Sequence, residues 1–589
     1  MNNPENVYQP LVGTPAPPKK KRGKVLLIIL AVLLILLCCL AAIAALVYFD
    51  PFDWGLLNRL FGGSDPVAKA APVDTTAYAS VNLLNVDTDK IQSLVSVFEE
   101  AYTDYMDEPV NLAKDLEEQL NDDLEEFGIN LEEDVLPWIG RSAGAGLLDV
   151  QFDSYGYPET ADYFVAIETR DRDAADAFLL KLTDGISESW DVGIDTSTYL
   201  DTTIYIVDDP YEELAFARYG NLVIMANSED SIEQVIDASE GDSLADDPVY
   251  RDMIGQLPKE RMLTFYLPGS ALADFYQGAL EDSGIPVDAA GDIYEQISGM
   301  AFSLSLVDAG LQLDTLMAYN PDKLPDAQQE MLEAGVGSDV AADQLPGDTL
   351  VYISGQRLDL IWETYYDTLN ESLDGDFEEA LSELEDEIGI DLNTDFFPYL
   401  DGASAIAVFP SRAGFIANFA EINIGIALLS QTSDDDALLD TIYQFNRNLE
   451  DMDAVLIEET NTGDMTIFEA TDYYSEEPVL AYGVGSGWFG IATSIDILEA
   501  LPDPEDALSE DNGFRQAQDY LPSGMSVVGY IDFKDGLDEI RKNLDDYDQE
   551  DFDDTTFFIK PIQALIAGSA PFSDNLIHST LILVIPTEN

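Results

Sequence analysis

APVDTTAYAS, residues 71–80, returns as LPGDTLVYIS, residues 345–354, and this recurrence governs how the chain divides. Pro72, Asp74, Thr75, Tyr78 and Ser80 meet Pro346, Asp348, Thr349, Tyr352 and Ser354 at an offset of 274. Three further blocks follow in the same order. EFGINLEEDVLPWIG from Glu126 matches EIGIDLNTDFFPYLDG from Glu387, ANSEDSIE from Ala226 matches ATSIDILE from Ala492, and YRDMIGQLP from Tyr250 matches FRQAQDYLP from Phe514. Offsets of 261 to 274 exclude short solenoid repeats, whose periods run from about 20 to 50 residues. They predict two homologous domains, over 71–340 and 341–589.

Within each copy the pattern alternates strands and helices. Thr76 to Leu83, with β-branched and aromatic positions, reads as a strand; Asp87 to Tyr102 and Leu112 to Phe127 carry helical spacing behind capping residues. Strands are predicted at 143–150, 163–168, 203–207, 214–218 and 222–226, with a helix over 173–182 that Asp171 or Asp173 caps and another opened by Ser228. The second copy repeats this with strands at 422–429, 465–469, 480–483 and 488–492, a helix over 434–449 and a helix after Ser494. Hairpins beside helices give an α+β class with mostly antiparallel sheets in two homologous domains.

Upstream, KKKRGK is followed by VLLIILAVLLILLCCLAAIAALVYF, residues 25–49, without one charge. A helix crossing the bilayer core needs about 20 apolar residues, so a single N-terminal transmembrane helix is predicted over 25–49. Basic residues precede it, and Asp50 and Asp53 follow. Lys and Arg favour the cytoplasmic side, which places the tail 1–24 inside and the bulk of the chain outside the cell membrane. Residues 50–70 read as a juxtamembrane linker. Cys38 and Cys39, the only cysteines, fall inside the apolar run, so no disulfide is expected outside.

Five of the 26 basic residues and one of the 115 acids precede residue 50, which leaves 21 against 114 and a net of about −93. Such charge keeps a surface soluble and repels phosphates, so nucleic acid is excluded as a partner. Cations, basic peptides and other envelope components remain as expected partners, besides the lipid bilayer through 25–49. Weak divalent binding is the most that the acidity implies, and high external salt would screen it.

The basic tail, the apolar run, the Pro-x-Asp-Thr strand start and the later helix ending in Leu-Pro resemble the bacterial family called domain of unknown function 3352. The resemblance implies an envelope protein of unassigned activity and supplies no catalytic residues.

No candidate motif assigns chemistry. Gly485, Gly487 and Gly490 spell GxGxxG, but a dinucleotide site needs a strand before it and a helix after it. Here two strand-like runs flank it, as they flank Tyr219, Gly220 and Asn221 in the first copy, and a hairpin turn is expected. His578, the only histidine, reads as a structural strand residue sharing a face with Leu576, Thr580 and Ile582. Asp545 to Asp554 lacks the glycine and terminal glutamate of an EF-hand and reads as a solvated loop. Asp74 and Asp348 are expected to fix turns, Arg251 and Arg515 to form structural ion pairs, and Trp138 and Tyr399 to be core or edge aromatics. Catalytic, cofactor-binding and metal-ligating residues are therefore none. The predicted function is a membrane-anchored, non-catalytic binding or structural module; a carboxylate-dependent hydrolase and a solute-binding accessory protein are the alternatives.

Overall fold

The computed structural model describes residues 65–586, apart from 84–87, 107–108, 153–157, 209–212, 273–295, 336, 338, 373–375, 413–415, 417–422, 452–454, 473–477, 501–503, 505 and 545. In the first copy the strands are β1 Ala77–Asn82, β2 Ile139–Phe152, β3 Pro158–Thr169, β4 Gly193–Tyr199, β5 Thr202–Asp208, β6 Leu214–Tyr219, β7 Leu222–Ala226, β8 Leu263–Pro268, β9 Ile297–Val307 and β10 Gly310–Tyr319. In the second they are β11 Val351–Gln356, β12 Ala403–Pro410, β13 Ile424–Gln431, β14 Val455–Thr462, β15 Met465–Asp472, β16 Pro478–Gly485, β17 Trp488–Ala492, β18 Ser526–Asp532, β19 Ala564–Ser569 and β20 Leu576–Val584.

Every ladder between these strands is antiparallel. Bonded neighbours in the first copy run β4-β5-β6-β7-β3-β2-β1-β8-β9-β10. In the second they run β14-β15-β16-β17-β13-β12-β11-β18-β19-β20. Each strand of the first copy therefore corresponds to the strand numbered ten higher. The copies join through β10 and β20, which pair from Gly310 opposite Val584 to Ala318 opposite Leu576.

This joint corrects the expected architecture. In place of two domains with separate sheets, one sheet of 20 strands spans both copies. The reason lies in β10 and β20, whose backbone donors and acceptors would otherwise line a bare edge. The expected transmembrane helix over 25–49 and the tail 1–24 lie outside the described residues, as does most of the linker 50–70. Among the described residues no helix is long and apolar enough to cross a membrane.

Helices cover the sheet by burying one stripe each. Ser228 caps the helix Glu229–Glu240 through Ser231 N, and Ile232, Val235 and Ile236 enter the core at helical spacing. The helix Arg172–Trp190 is longer than predicted: Asp171 caps it and Asp191, in left-handed conformation at φ 53°, ends it. On one sheet face two cores meet, one around Tyr78, Phe164 and Ile224, the other around Tyr352, Leu429 and Ile566. The opposite face holds a core around Trp138 and Leu179 and another around Leu438 and Phe468.

The duplication reaches individual rings. Tyr250 meets Tyr78 and Tyr266 edge-on at 6.1 and 5.0 Å. Phe514 meets Tyr352 and Tyr530 in the same way at 6.0 and 5.1 Å. Below them, Tyr266 faces Ala301 and Ala301 faces Leu316, while Tyr530 faces Ile566 and Ile566 faces Ile582. Leu316 thus corresponds to Ile582, and two positions earlier Asp314 corresponds to Thr580. These two residues are opposite each other in the β10–β20 ladder, so the pseudo-twofold axis passes through them.

Because the cores interlock across this ladder, with Leu576 in the first copy's core and Ala309 in the second's, thermal unfolding of the described region is expected as one transition. Calorimetry checks this; two well-resolved transitions of similar enthalpy would show that the copies melt independently.

Candidate functional site

Three places gather polar chemistry, and the pseudo-twofold axis is the most buried. Asp314 is fully buried. Its Oδ1 accepts from Thr580 Oγ1 at 2.7 Å and lies 3.0 Å from His578 Nε2, and its Oδ2 accepts from Gln312 Nε2 at 2.9 Å. Gln312 and His578 correspond under the pseudo-symmetry, so the axis carboxylate is held from both sides by equivalent positions. A buried charge persists only when paired and hydrogen-bonded, and these contacts meet that need. The group sits between the two cores of its sheet face and acts as a lock on the joint.

The second place is a cleft between the copies, with a volume of about 410 Å³. Its first wall is the helix Thr88–Met106, through Val97, Glu100, Ala101 and Tyr105; its second is Asp553, Asp554, Phe557, Lys560 and Pro561. Tyr105 stacks on Phe557 with ring centroids 4.2 Å apart, and Tyr102 meets the same ring edge-on at 4.9 Å. Asp553 is engaged by Arg541 at 3.0 Å and Lys560 at 3.3 Å, and the Arg541 hydrogen bond holds its carboxyl below the ordinary range. Glu100 and Asp554 stay exposed on either wall. An aromatic platform beside exposed carboxylates suits a cation on an apolar stem.

The third is a cleft of about 590 Å³ holding Arg141, Arg170 and Arg172. Arg141 Nη2 meets the buried Glu168 at 2.9 Å, Arg170 reaches the carbonyls of Pro137 and Leu136 at 3.0 and 2.9 Å, and Arg172 Nε donates to Asn221 Oδ1 at 2.8 Å. Each guanidinium is committed to a protein acceptor: Arg170 braces the turn ahead of β2, Arg141 ties β2 to β3, and Arg172 ties its helix to the β6–β7 turn. Thr169 N to Asn221 O and Thr432 N to Gly487 O are matching bonds of 2.7 and 3.0 Å. Ser433 and Asp435 therefore stand where the first copy has Arg170 and Arg172, and the brace belongs to the first copy.

The residues singled out in the sequence lie apart from one another. Gly485 and Gly487, with Ser486 between them, turn the β16–β17 hairpin at φ 157°, 79° and 56° respectively, while Gly490 lies inside β17. Thr75 rather than Asp74 carries the turn before β1: both its N and its Oγ1 bond Pro72 O, and Thr349 does the same with Pro346 O. The hydroxyl of Thr competes for the local carbonyl. Arg251 and Arg515 are exposed, and among the described residues neither forms an ion pair. Their expected partners lose to solvent because both helices turn these positions outward. The acidic run expected as a loop is the helix Asp546–Thr556, with Asp545 outside the described residues. Trp138 is buried against Phe178 at 4.9 Å, and Tyr399 packs at the edge of the second copy's outer core. Among the described residues no group of histidine, cysteine and acids could hold a metal.

The chain belongs to the family described as protein of unknown function (DUF3352), which it matches over residues 28–584. No curated protein matches it. Among solved structures it is similar to TP0453 in crystal form IV, at 7% identity and a TM-score of 0.22, over 43% of this chain and 79% of that one. Crystal forms I and III of TP0453 match at 8% identity and the same TM-score, over 46% of this chain and 84% and 87% of theirs. At that level the likeness carries neither fold nor function across.

Asp314→Ala leaves the buried donors of Thr580 and Gln312 without their acceptor and is expected to cost about 3 kcal/mol. His578→Gln places at that position the side chain its counterpart Gln312 already uses, and should cost under about 1 kcal/mol. Urea unfolding of both variants checks the contrast; equal losses would show that the histidine is more than a donor.

Proposed function

We propose that this protein is a membrane-tethered binding module that takes cationic partners, such as basic peptides or the basic surfaces of other envelope components, in the cleft between its two copies. The observation that carries this reading is the Tyr105–Phe557 stack, in which one ring comes from each copy, flanked by the exposed Glu100 and Asp554. A cation over an exposed aromatic face gains about 0.5–1 kcal/mol, and a net charge of −89 steers it inward from a distance. Duplication supports the same reading, since neither copy alone supplies both walls. The role is one of holding a partner and not of transforming it.

In this reading the apolar stretch 25–49 lies in the bilayer, and residues from 50 onward face outside. The full chain is then expected in the membrane fraction, resistant to alkaline wash. External protease should digest it down to its N-terminal part in intact cells. Release of the full chain by the wash would refute the tether.

For the cleft, the full chain in detergent is titrated with a Lys- and Arg-rich peptide and with a Glu-matched control. Binding is expected for the basic peptide alone, weakening with salt. Phe557→Ala should weaken it about fivefold, equivalent to about 1 kcal/mol. Unchanged affinity in Phe557→Ala would leave only diffuse attraction to an acidic surface and would sink the site.

A further inference from the structure

On the sheet face that carries the Trp138 and Phe468 cores, one row of directly opposed apolar residues and a single glycine runs from Leu263 in the first copy to Ile491 in the second. Both ends pack against those cores. Between them the row comes to the surface, and it is most open where Ile353 of β11 is 51% exposed and its cross-strand partner Ile406 of β12 is 43% exposed. A second row beside it, Val351, Val408 and Ile426, ends on β13 with Ile426 at 38%. Single exposed isoleucines are ordinary, but a contiguous apolar face marks an interaction site.

Folding does not require these side chains. Ile353 and Ile406 correspond to Ala79 and Ala145 of the first copy, which oppose each other in the β1–β2 ladder as the isoleucines do in the β11–β12 ladder. The same backbone pairing stands with small side chains in one copy and with large exposed ones in the other. Half-exposed, the larger side chains return little of the stabilisation that burial gives, so their gain lies in what covers them.

This face adjoins the cleft between the copies. The helix Phe533–Lys542 leads from the end of β18, and just past it Asn543 meets Asn423, ahead of β13, while Arg541 engages Asp553 in the cleft wall at 3.0 Å. Sheet face and cleft therefore touch the same helix end, and Ile540 on that turn is exposed.

Three constraints select the occupant. A net charge of −89 opposes a second copy of the chain and an anionic lipid surface, and it favours a basic partner. β11, β12 and β13 are each paired on both sides, so the face offers side chains alone and an arriving segment has to satisfy its own backbone, as a helix does. The open stretch from β18 to β13 spans three strand spacings, about 14 Å, or about ten residues of helix. We infer that this face seats the apolar stripe of a basic amphipathic helix from a partner protein, whose Lys and Arg residues reach the cleft carboxylates Glu100 and Asp554. The inference rests on the cation reading of that cleft and adds the form of the partner.

The test uses the full chain in phosphatidylcholine nanodiscs, with empty nanodiscs as the blank. Two peptides of one Leu and Lys composition are titrated, one with its leucines at helical spacing and one shuffled so that no stripe forms. The striped peptide is expected to bind about tenfold more tightly. The double variant Ile353→Ala, Ile406→Ala, which writes the first copy's residues into the second, should remove that preference and leave the weaker binding common to both peptides. In the unaltered chain, a photo-crosslinker on the stripe should label β11 to β13, which decides the matter without any variant. Equal binding of the two peptides, a preference that survives the double variant, or labelling elsewhere would overturn the inference and leave the cleft reading intact. Absence of binding for both peptides would overturn the two together. A dimer in light scattering that the double variant splits, or phospholipid that co-purifies with the unaltered chain alone, would name another occupant and overturn the inference as well.

Discussion

Nine residue pairs between Gly310–Ala318 and Leu576–Val584 turn two copies into one molecule. Open twisted sheets seldom exceed about ten strands, and each copy alone already has ten. Extending past that size requires the last strand of each copy to find a partner, and here that partner is its own counterpart. The arrangement is that of an isologous contact, in which residue i meets j and j meets i, with both partners supplied by one chain. Everything else depends on this ladder. It brings the helix Thr88–Met106 of one copy against Phe557 of the other, and it lets Ala309 and Leu576 enter each other's cores.

The outer ends of the sheet follow the opposite logic. β4 and β14 are edges, and both are largely exposed. Asp195 lies in β4, and Glu458 and Glu459 lie in β14. Charge on an edge strand repels a second chain that would otherwise add to it, so part of the acidity of this protein guards its two open ends. The inner ends carry the reverse composition, with leucines and methionine along β10 and leucines and isoleucines along β20. The same fold thus makes one edge sticky and the other forbidding.

Much of each copy was legible in the sequence because its signals are local. The β16–β17 hairpin follows from glycines at positive φ, and the capped helix after Ser228 follows from a serine ahead of spaced isoleucines and valine. Twinned blocks revealed the duplication. The single sheet was not legible, since the pairing of Asp314 with Thr580 joins residues 266 apart and nothing near either one announces it. The same distance hid the clefts: Tyr105 and Phe557 read as two unrelated aromatics until the ladder brings them face to face. The sequence marks His578 as a strand residue on the face of Thr580, while its partner, a buried aspartate in the other copy, is 264 residues away.

The axis also explains why the copies cannot be identical. A perfectly duplicated chain would set Asp314 opposite another aspartate, two carboxylates in contact inside a core, where like charges cannot both remain ionised. A threonine in both places would remove the acceptor that Gln312 and His578 now share. Only an unequal pair, one carboxylate and one hydroxyl, satisfies the site, and Thr580 donates to Asp314 at 2.7 Å accordingly. Once the axis required the copies to differ, other positions were free to specialise: arginines brace the first copy's turn where the second has Ser433 and Asp435, and Tyr250 and Arg261 line a polar cavity where the second has Phe514 and Met525. Asymmetry at the axis is the condition under which two copies of this fold can share one sheet.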